Sequence, residues 1–486
     1  MTNPDPHPDS ADVAGLSAID LTRRLAAGEL TSRDVVAVLS ARIGALDVSG
    51  DLALHSVAAL SDDATAVALE RDAERSRGVV RGALHGVPVL IKDNIEAVGL
   101  PGQAGSTALA GRPARDAALV QRLRDAGAIV MGSTNLSQWA NIRSPHSTSG
   151  FSASGGLVGN PWCLDRSAGG SSSGAGAALA AGFAPLTVGT ETDGSITCPA
   201  SLNGVFGLKP TVGNVSRDGV VPISHSQDSP GPLARTAGDL ALLYGVLSAT
   251  TPPPQASPAR LVVATSWRTG HDATDALFDE VLATWGVDLS RRDASLPAGQ
   301  EFDDELTVLL CELLDDMDAY LAARPGDGVS SLSDVVAYED AHREVEQRYF
   351  GHEFFERALT SGGCASEAYQ LARERNYHWA TQQALGPLLG DADVVLAPAY
   401  GPAWKSDLVN GDNAKYVSAS IMAAAIAGWP ILTVPVGLVE GLPVGLTLTG
   451  RPQSEWTLLA VARQLEEHLG HRGGAVSPSW RAPSRG

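Results

Sequence analysis

Basic residues are scarce in this chain, and lysine is nearly missing. Its 486 residues carry 35 Lys and Arg against 55 Asp and Glu, a formal net charge of −20. The lysines are only Lys92, Lys209, Lys405 and Lys415. Such an acidic balance excludes nucleic acid and anionic membrane surfaces as partners, since both are bound through basic patches. Cysteine is as rare: Cys163, Cys198, Cys311 and Cys364 stand far apart with no CxxC pair. In a chain of this length that excludes a disulfide framework and a zinc site and predicts reduced, buried thiols. Cys198 reads as a small buried filler rather than a nucleophile. The opening MTNPDPHPDSADVAG has neither a basic region nor an apolar one. It is not a secretory signal, and it predicts disorder over residues 1–14 of a cytoplasmic protein. Two uncharged stretches, residues 167–190 and 416–439, are long enough to need checking as membrane spans. The first is mostly Gly, Ala and Ser, and the second is broken by Pro430 and Pro435, so both read as buried core.

Signatures for cofactors are missing too. There is no GK[ST], and no GxGxxG/A follows a strand, because position 179 is Leu. His352-Glu353-Phe354-Phe355-Glu356 is HExxE, so a zinc-hydrolase reading fails at the second ligand. No metal and no cofactor is expected.

What the chain has in quantity is small residues. Hydrophobic residues make up 44%, aromatics only 5%, and there are 52 glycines. That composition predicts a core of closely packed small side chains. The small residues concentrate in residues 167–211, SAGGSSSGAGAALAAGFAPLTVGTETDGSITCPASLNGVFGLKPT. Here a Gly/Ser loop leads into a small-residue helix. A short apolar strand, Pro185 to Gly189, then enters a second Gly/Ser turn, Thr190 to Ser195. Glycine lets backbone approach a ligand and frees N–H groups to point at it. A serine in such a turn can serve as nucleophile while neighbouring N–H groups hold an oxyanion. Upstream, Gly86-Val87-Pro88-Val89-Leu90-Ile91-Lys92-Asp93-Asn94 puts one of the four lysines at the end of an apolar run. A lysine reached that way is desolvated, which lowers its pKa and lets it act as a base.

Lys92, GGSSSGAGAALAAG and TETDGSITCPA…GLKPT together resemble the amidase signature family, densely over residues 81–247 and again over 391–450. Within it, the TETDGS turn and the SRDG and PAW…DLVNGD segments look most like bacterial peptide amidases. The resemblance implies a Ser–cis-Ser–Lys triad: Ser195 as nucleophile, Ser171 as the bridging serine at a cis peptide, and Lys92 as base. It implies an oxyanion hole from the backbone N–H groups of Thr192, Asp193, Gly194 and Ser195. It also implies that Ala140 and Asn141 line the acyl pocket, and Ser172 is a third candidate for substrate contact. This chain departs from the common family pattern in reading GSTN where others read GKTN, and GGSSSGA where others read GGSSGG. The implied reaction is hydrolysis of a linear carboxamide, foremost the C-terminal amide of a peptide, in a monomer or homodimer. The alternatives within the family are hydrolysis of aryl amides or carbamates, and the role of a glutamine-dependent amidotransferase subunit. Gly170 to Gly174 also fits the GxSxG of α/β-hydrolases, but that motif needs a strand directly before it and a downstream acid and His. Residues 160–166 make a poor strand, and no His stands out.

The pattern predicts one α/β domain over residues 15–486, and the resemblance implies its form: a large mixed, twisted sheet covered by helices on both sides. A mainly helical insertion over residues 273–386 is expected to divide it. Helices are predicted at 17–27, 33–46, 62–76, 116–126, 237–247 and 455–469. Strands are predicted at 87–91, 128–131, 260–265, 393–396, 431–434 and 444–449. Ser133-Thr134-Asn135 should cap a short helix bearing Trp139, and residues 150–165 should form a loop.

Overall fold

The computed structural model describes residues 10–48, 53–111, 113–253, 259–324 and 328–470. Its frame is a single mixed sheet of eleven strands. In chain order these are β1 (Val57–Leu60), β2 (Pro88–Lys92), β3 (Ile129–Thr134), β4 (Leu186–Glu191), β5 (Phe206–Lys209) and β6 (Ser229–Ala234). They continue with β7 (Leu261–Ala264), β8 (Leu289–Arg292), β9 (Val394–Pro398), β10 (Ile431–Val439) and β11 (Leu442–Gly450). In space the order is β1-β3-β2-β4-β6-β5-β10-β11-β9-β7-β8. β2 runs parallel to both β3 and β4, whereas β6 is antiparallel to β4.

Every residue of β2 and β4 is buried, as near-continuous apolar strands are when both faces of a sheet are covered. Alternation along β2 divides the two cores. Val89 and Ile91 pack with the helices Ala118–Asp125, Ala237–Ser248, Asp272–Thr284 and Glu455–Leu469. Leu90 points the other way, to Leu21, Leu25, Val35 and Leu39 of the helices Ala18–Ala26 and Ser32–Leu46. Thr31 and Thr236 cap their helices by accepting from the N–H of Asp34 and Asp239. Each satisfies a donor that the first turn leaves open. Among the described residues no helix is long and apolar enough to cross a membrane.

Five expectations need correction. Residues 1–9 lie outside the described residues, but Ser10–Gly15 form a short helix that buries Val13 and Ala14. Ser133 and Thr134 finish β3 instead of capping a helix, and the turn that follows is the 3-10 segment Gln138–Asn141. Residues 151–167 are not a loop but two small hairpins: Phe151–Ser152 with Gly156–Leu157, and Gly159–Asn160 with Cys163–Ser167. Three of their four strands have only two residues, too short to show a period, and the fourth, Cys163–Ser167, holds the polar pair Asp165-Arg166. The start of the expected insertion belongs to the frame. Asp272–Thr284 packs in the main core, and β8 extends the sheet parallel to β7. The helical layer proper starts at the long helix Gly299–Ala323. The cysteines are free, as expected, but Cys163 and Cys364 are only half-buried.

Candidate active site

The sheet itself brings the two ends of the signature together. β2 and β4 are parallel neighbours with Ile91 opposite Val188. Lys92, the last residue of β2, therefore meets the carboxyl end of β4, where ligand sites of open α/β sheets form. Lys92 is completely buried. Its Nζ lies 2.8 Å from Ser171 Oγ, 2.8 Å from Thr190 Oγ1 and 3.2 Å from the Thr190 carbonyl oxygen. Asn94 Nδ2 donates to the same Thr190 hydroxyl at 3.0 Å. Burial pulls the Lys92 pKa down to about 7, partly offset by the negative charges of Asp228 and Glu191.

Ser171 follows a cis Gly170–Ser171 peptide and is completely buried. Its carbonyl accepts from the N–H of Ser137 at 3.1 Å. The loop can lie this deep because its neighbours lack side chains. A Cβ on Gly189 would sit 2.7 Å from Ser172 Oγ, and one on Gly169 would sit 2.9 Å from Cys198 Sγ. Ser172 ties the loop to the turn after β4: its N–H donates to the Ser195 carbonyl at 3.1 Å and its hydroxyl to the Thr190 carbonyl at 3.0 Å. That corrects one expectation. Ser172 is wholly buried and its hydroxyl is committed to the backbone, so it is not presented to a ligand. The same bonds dispose of the GxSxG reading. A short strand, Cys163–Ser167, does precede the motif, yet its central serine is a backbone strut.

Thr192 to Ser195 form the turn between β4 and the helix Thr197–Asn203. Glu191 Oε2 accepts from the N–H groups of Ile196 at 2.6 Å and Thr197 at 2.7 Å, which pins the helix start. Gly194 takes φ +77°, and a Cβ there would meet Tyr400 Oη at 2.5 Å. The backbone N–H groups of Thr192, Asp193, Gly194 and Ser195 make no bond to a protein acceptor among the described residues. Ser195 is 7% exposed, in contrast to Ser171. The turn thus offers free donors around a serine that solvent can reach. Asp193 carries a buried carboxylate oxygen without a partner. Burial, then Glu305 and Glu191, hold its pKa well above the usual carboxylate range.

Ala140 and Asn141 stand in an unusual turn. Trp139, Ala140 and Asn141 have φ of 51°, 53° and 75° in succession, a conformation that disfavours residues with a Cβ and persists only where surroundings impose it. The Trp139 Nε1–H donates to Glu339 Oε1 at 2.8 Å, and its ring meets Phe355 edge-on at 5.8 Å. Arg143, fully buried, lies 3.5 Å from the same Glu339 oxygen. Asn141 Oδ1 is buried with no partner.

These features, a desolvated lysine on a buried serine beside a serine turn with free N–H donors, are those of the family that the sequence resembles. The sequence profile of the Amidase family matches residues 37–459. This chain belongs to the amidase family. The amidase resembles the peptide amidase PAM solved with the inhibitor chymostatin: 40% identity, TM-score 0.87, covering 93% of this chain and 97% of that one. It resembles the native peptide amidase of Stenotrophomonas maltophilia with 39% identity and TM-score 0.87, over 96% and 98% of the two chains. The A-type component of the glutamyl-tRNA(Gln) amidotransferase from Anaeromyxobacter sp. (strain K) is 34% identical over 92% of this chain and 94% of its own. This amidase is accordingly a hydrolase acting on carbon–nitrogen bonds of linear amides.

Sequence reasoning assigned no role to Thr190, Asn94 or Asp228, which surround Lys92 and the turn. The motifs themselves hold Thr190 and Asn94. Asp228 is signalled only by its place one residue before a strand, which gains meaning once β6 is known to pair with β4.

Proposed function

We propose that this amidase removes the C-terminal carboxamide of short peptides through a Ser195 acyl-enzyme, with Ser171 and Lys92 as proton relay. The observation that carries the reading is the 2.8 Å contact between Lys92 Nζ and Ser171 Oγ. A neutral amine has two N–H groups and one lone pair. With its N–H groups on the Thr190 carbonyl and hydroxyl, the lone pair is left to accept the Ser171 proton. Ser171 then takes the Ser195 proton as that oxygen attacks the amide carbonyl, and returns it to the leaving nitrogen. The N–H groups of Thr192 to Ser195 receive the oxyanion; removal of one such donor typically costs about 2.7–4 kcal/mol in kcat. Water cleaves the acyl-enzyme by the same relay. Asn141 Oδ1, a buried acceptor without a partner, is suited to a substrate N–H, and Ala140 beside it to the acyl wall.

Peptide amides are favoured over aryl amides and carbamates by the 40% identity to the peptide amidase. That exceeds the 34% shared with the amidotransferase component. The test is ammonia release from an N-blocked dipeptide amide, with Ser195→Ala as the blank. Release by the wild type alone supports both nucleophile and substrate class. Silence from both proteins, alongside turnover of an anilide or carbamate, would overturn the substrate. Glutaminase activity that needs a co-purifying partner protein would move the enzyme to the amidotransferase class.

A further inference from the structure

We propose that Asp228 is a positioning residue for this reaction. It braces the Thr192–Ser195 turn from behind and sets a buried negative charge toward Lys92, on a loop that the helical layer holds in place. The inference rests on the relay just described.

Sheet register makes the placement. β6 is antiparallel to β4 with Ser229 opposite Glu191, so the residue before β6 must lie beside the residue after β4. Those residues are Asp228 and Thr192. Asp228 is 8% exposed, and its carboxylate has three donors. Oδ1 accepts the Thr192 hydroxyl at 2.6 Å, and Oδ2 accepts the N–H groups of Ile223 at 2.8 Å and Ser224 at 3.0 Å. Burial raises its pKa, the three donors counter that rise by favouring the charged form, and they fix the carboxylate in place. It locks the side chain of Thr192, whose N–H is one of the four free donors of the turn. Of the two acids acting on Lys92, Asp228 is the stronger and Glu191 the weaker. The other polar groups on the amine, Ser171 and Thr190, are neutral.

The loop bearing Asp228 is itself anchored. Glu312 accepts the Ser224 hydroxyl and the Ser226 N–H, Glu305 accepts Gln227 Nε2 at 3.0 Å, and His225 Nδ1 lies 3.1 Å from the Asp316 carboxylate. Glu305, Glu312 and Asp316 are spaced by seven and four residues, one face of the helix Gly299–Ala323. Four consecutive loop residues are thus fastened to the helical layer just before the chain reaches Asp228. The layer serves the chemistry through this loop.

The test follows covalent labelling of Ser195 by a fluorophosphonate, in which the serine oxygen bonds phosphorus, fluoride leaves and the hydroxyl proton enters the relay. Intact-mass rates across pH need no knowledge of the natural substrate. Asp228→Asn keeps the shape and removes the charge. Labelling is expected to slow about 10- to 100-fold, and its acid limb to move to lower pH as Lys92 loses an anion that favours its protonated form. Thr192→Val, which removes only the hydroxyl, should slow labelling and leave the limb in place. The double variant should be no slower than Asp228→Asn alone. A wild-type rate and limb in Asp228→Asn, or additive losses in the double variant, would overturn the inference and leave the serine reading intact. If Asp228→Asn does not fold, wild-type labelling of Thr192→Val overturns it instead. A wild type unlabelled at Ser195 would overturn the serine reading and this inference with it.

Discussion

Lys92 Nζ sits 2.8 Å from Ser171 Oγ, and all three of its hydrogen-bond contacts are to uncharged oxygens. A lysine stripped of water and given no direct ion pair loses the main reasons to stay protonated. This contact makes the cation-poor composition informative: one of four lysines is spent where its charge is least supported.

The first consequence is a pH profile. The relay requires neutral Lys92, whose pKa is about 7. Activity should therefore rise with pH through an acid limb near 7 and be lost about tenfold per pH unit below it. A profile of kcat/KM on a peptide amide checks this. A limb near 10 would mean an ordinary lysine and a different base.

The second concerns Lys92→Met, which fits the buried site without a charge. Activity at pH 7 should fall on the order of 10⁴-fold or more, as for loss of other nucleophile-activating groups. Stability should move the other way. The unfolded lysine titrates near 10.5 and the folded one near 7, so between those values the unfolded chain binds the extra proton. The stability of the wild type therefore rises from pH 7 to 10.5, and the penalty is present in full below 7. At about 1.36 kcal/mol per pH unit, the variant should gain on the order of 1–4 kcal/mol at pH 7, less what its lost hydrogen bonds contributed. Denaturant melts of both proteins at pH 7 and pH 10 measure it, and the gain should shrink at the higher pH.

The third is Gly194→Ala. Its φ of +77° and the 2.5 Å approach of the added carbon to Tyr400 Oη oppose the substitution from both sides. The turn must shift, and with it the N–H donors. Labelling and turnover should drop about 100-fold or more, with a stability loss of about 1–2 kcal/mol. Wild-type turnover would remove this turn from the oxyanion reading.

Much of this was legible in the sequence because the decisive features are local. The apolar run ending at Lys92, the Gly/Ser loop and the TETDGS turn mark a strand end, a deep loop and a donor-rich turn without tertiary knowledge. The helix Glu455–Leu469 is local in the same sense. What escaped depends on contacts between distant segments. Ser172 reads in the sequence as a candidate for substrate contact, but its hydroxyl is spent on the Thr190 carbonyl, 18 residues on. Asp228 acquires meaning only from the register of β6 on β4. β8 is half-exposed and polar, Leu289-Ser290-Arg291-Arg292, so no apolar period announces it. The left-handed run at Trp139 is tied by its indole N–H to a glutamate 200 residues away.

That last contact supplies the fourth prediction. Glu339 is fully buried and serves the Trp139 indole N–H at 2.8 Å, His352 Nδ1 at 2.9 Å and Arg143 at 3.5 Å. Glu339→Ala would leave Arg143 buried without this counter-charge, and Arg143 already has two buried nitrogens without partners. Breaking such a pair costs about 3–5 kcal/mol, so the variant should melt far below the wild type. Trp139→Phe is milder: the ring contact with Phe355 survives and only the indole N–H is lost, about 1.5–3 kcal/mol for a bond to a charged acceptor. With that tether gone, Ala140 and Asn141 relax from φ of 53° and 75° toward ordinary backbone, and Asn141 Oδ1 swings from its position. Since the relay lies on other elements, the loss should fall on KM, about tenfold, with kcat changed much less. An unchanged KM for a peptide amide in Trp139→Phe would take Ala140 and Asn141 out of the substrate pocket.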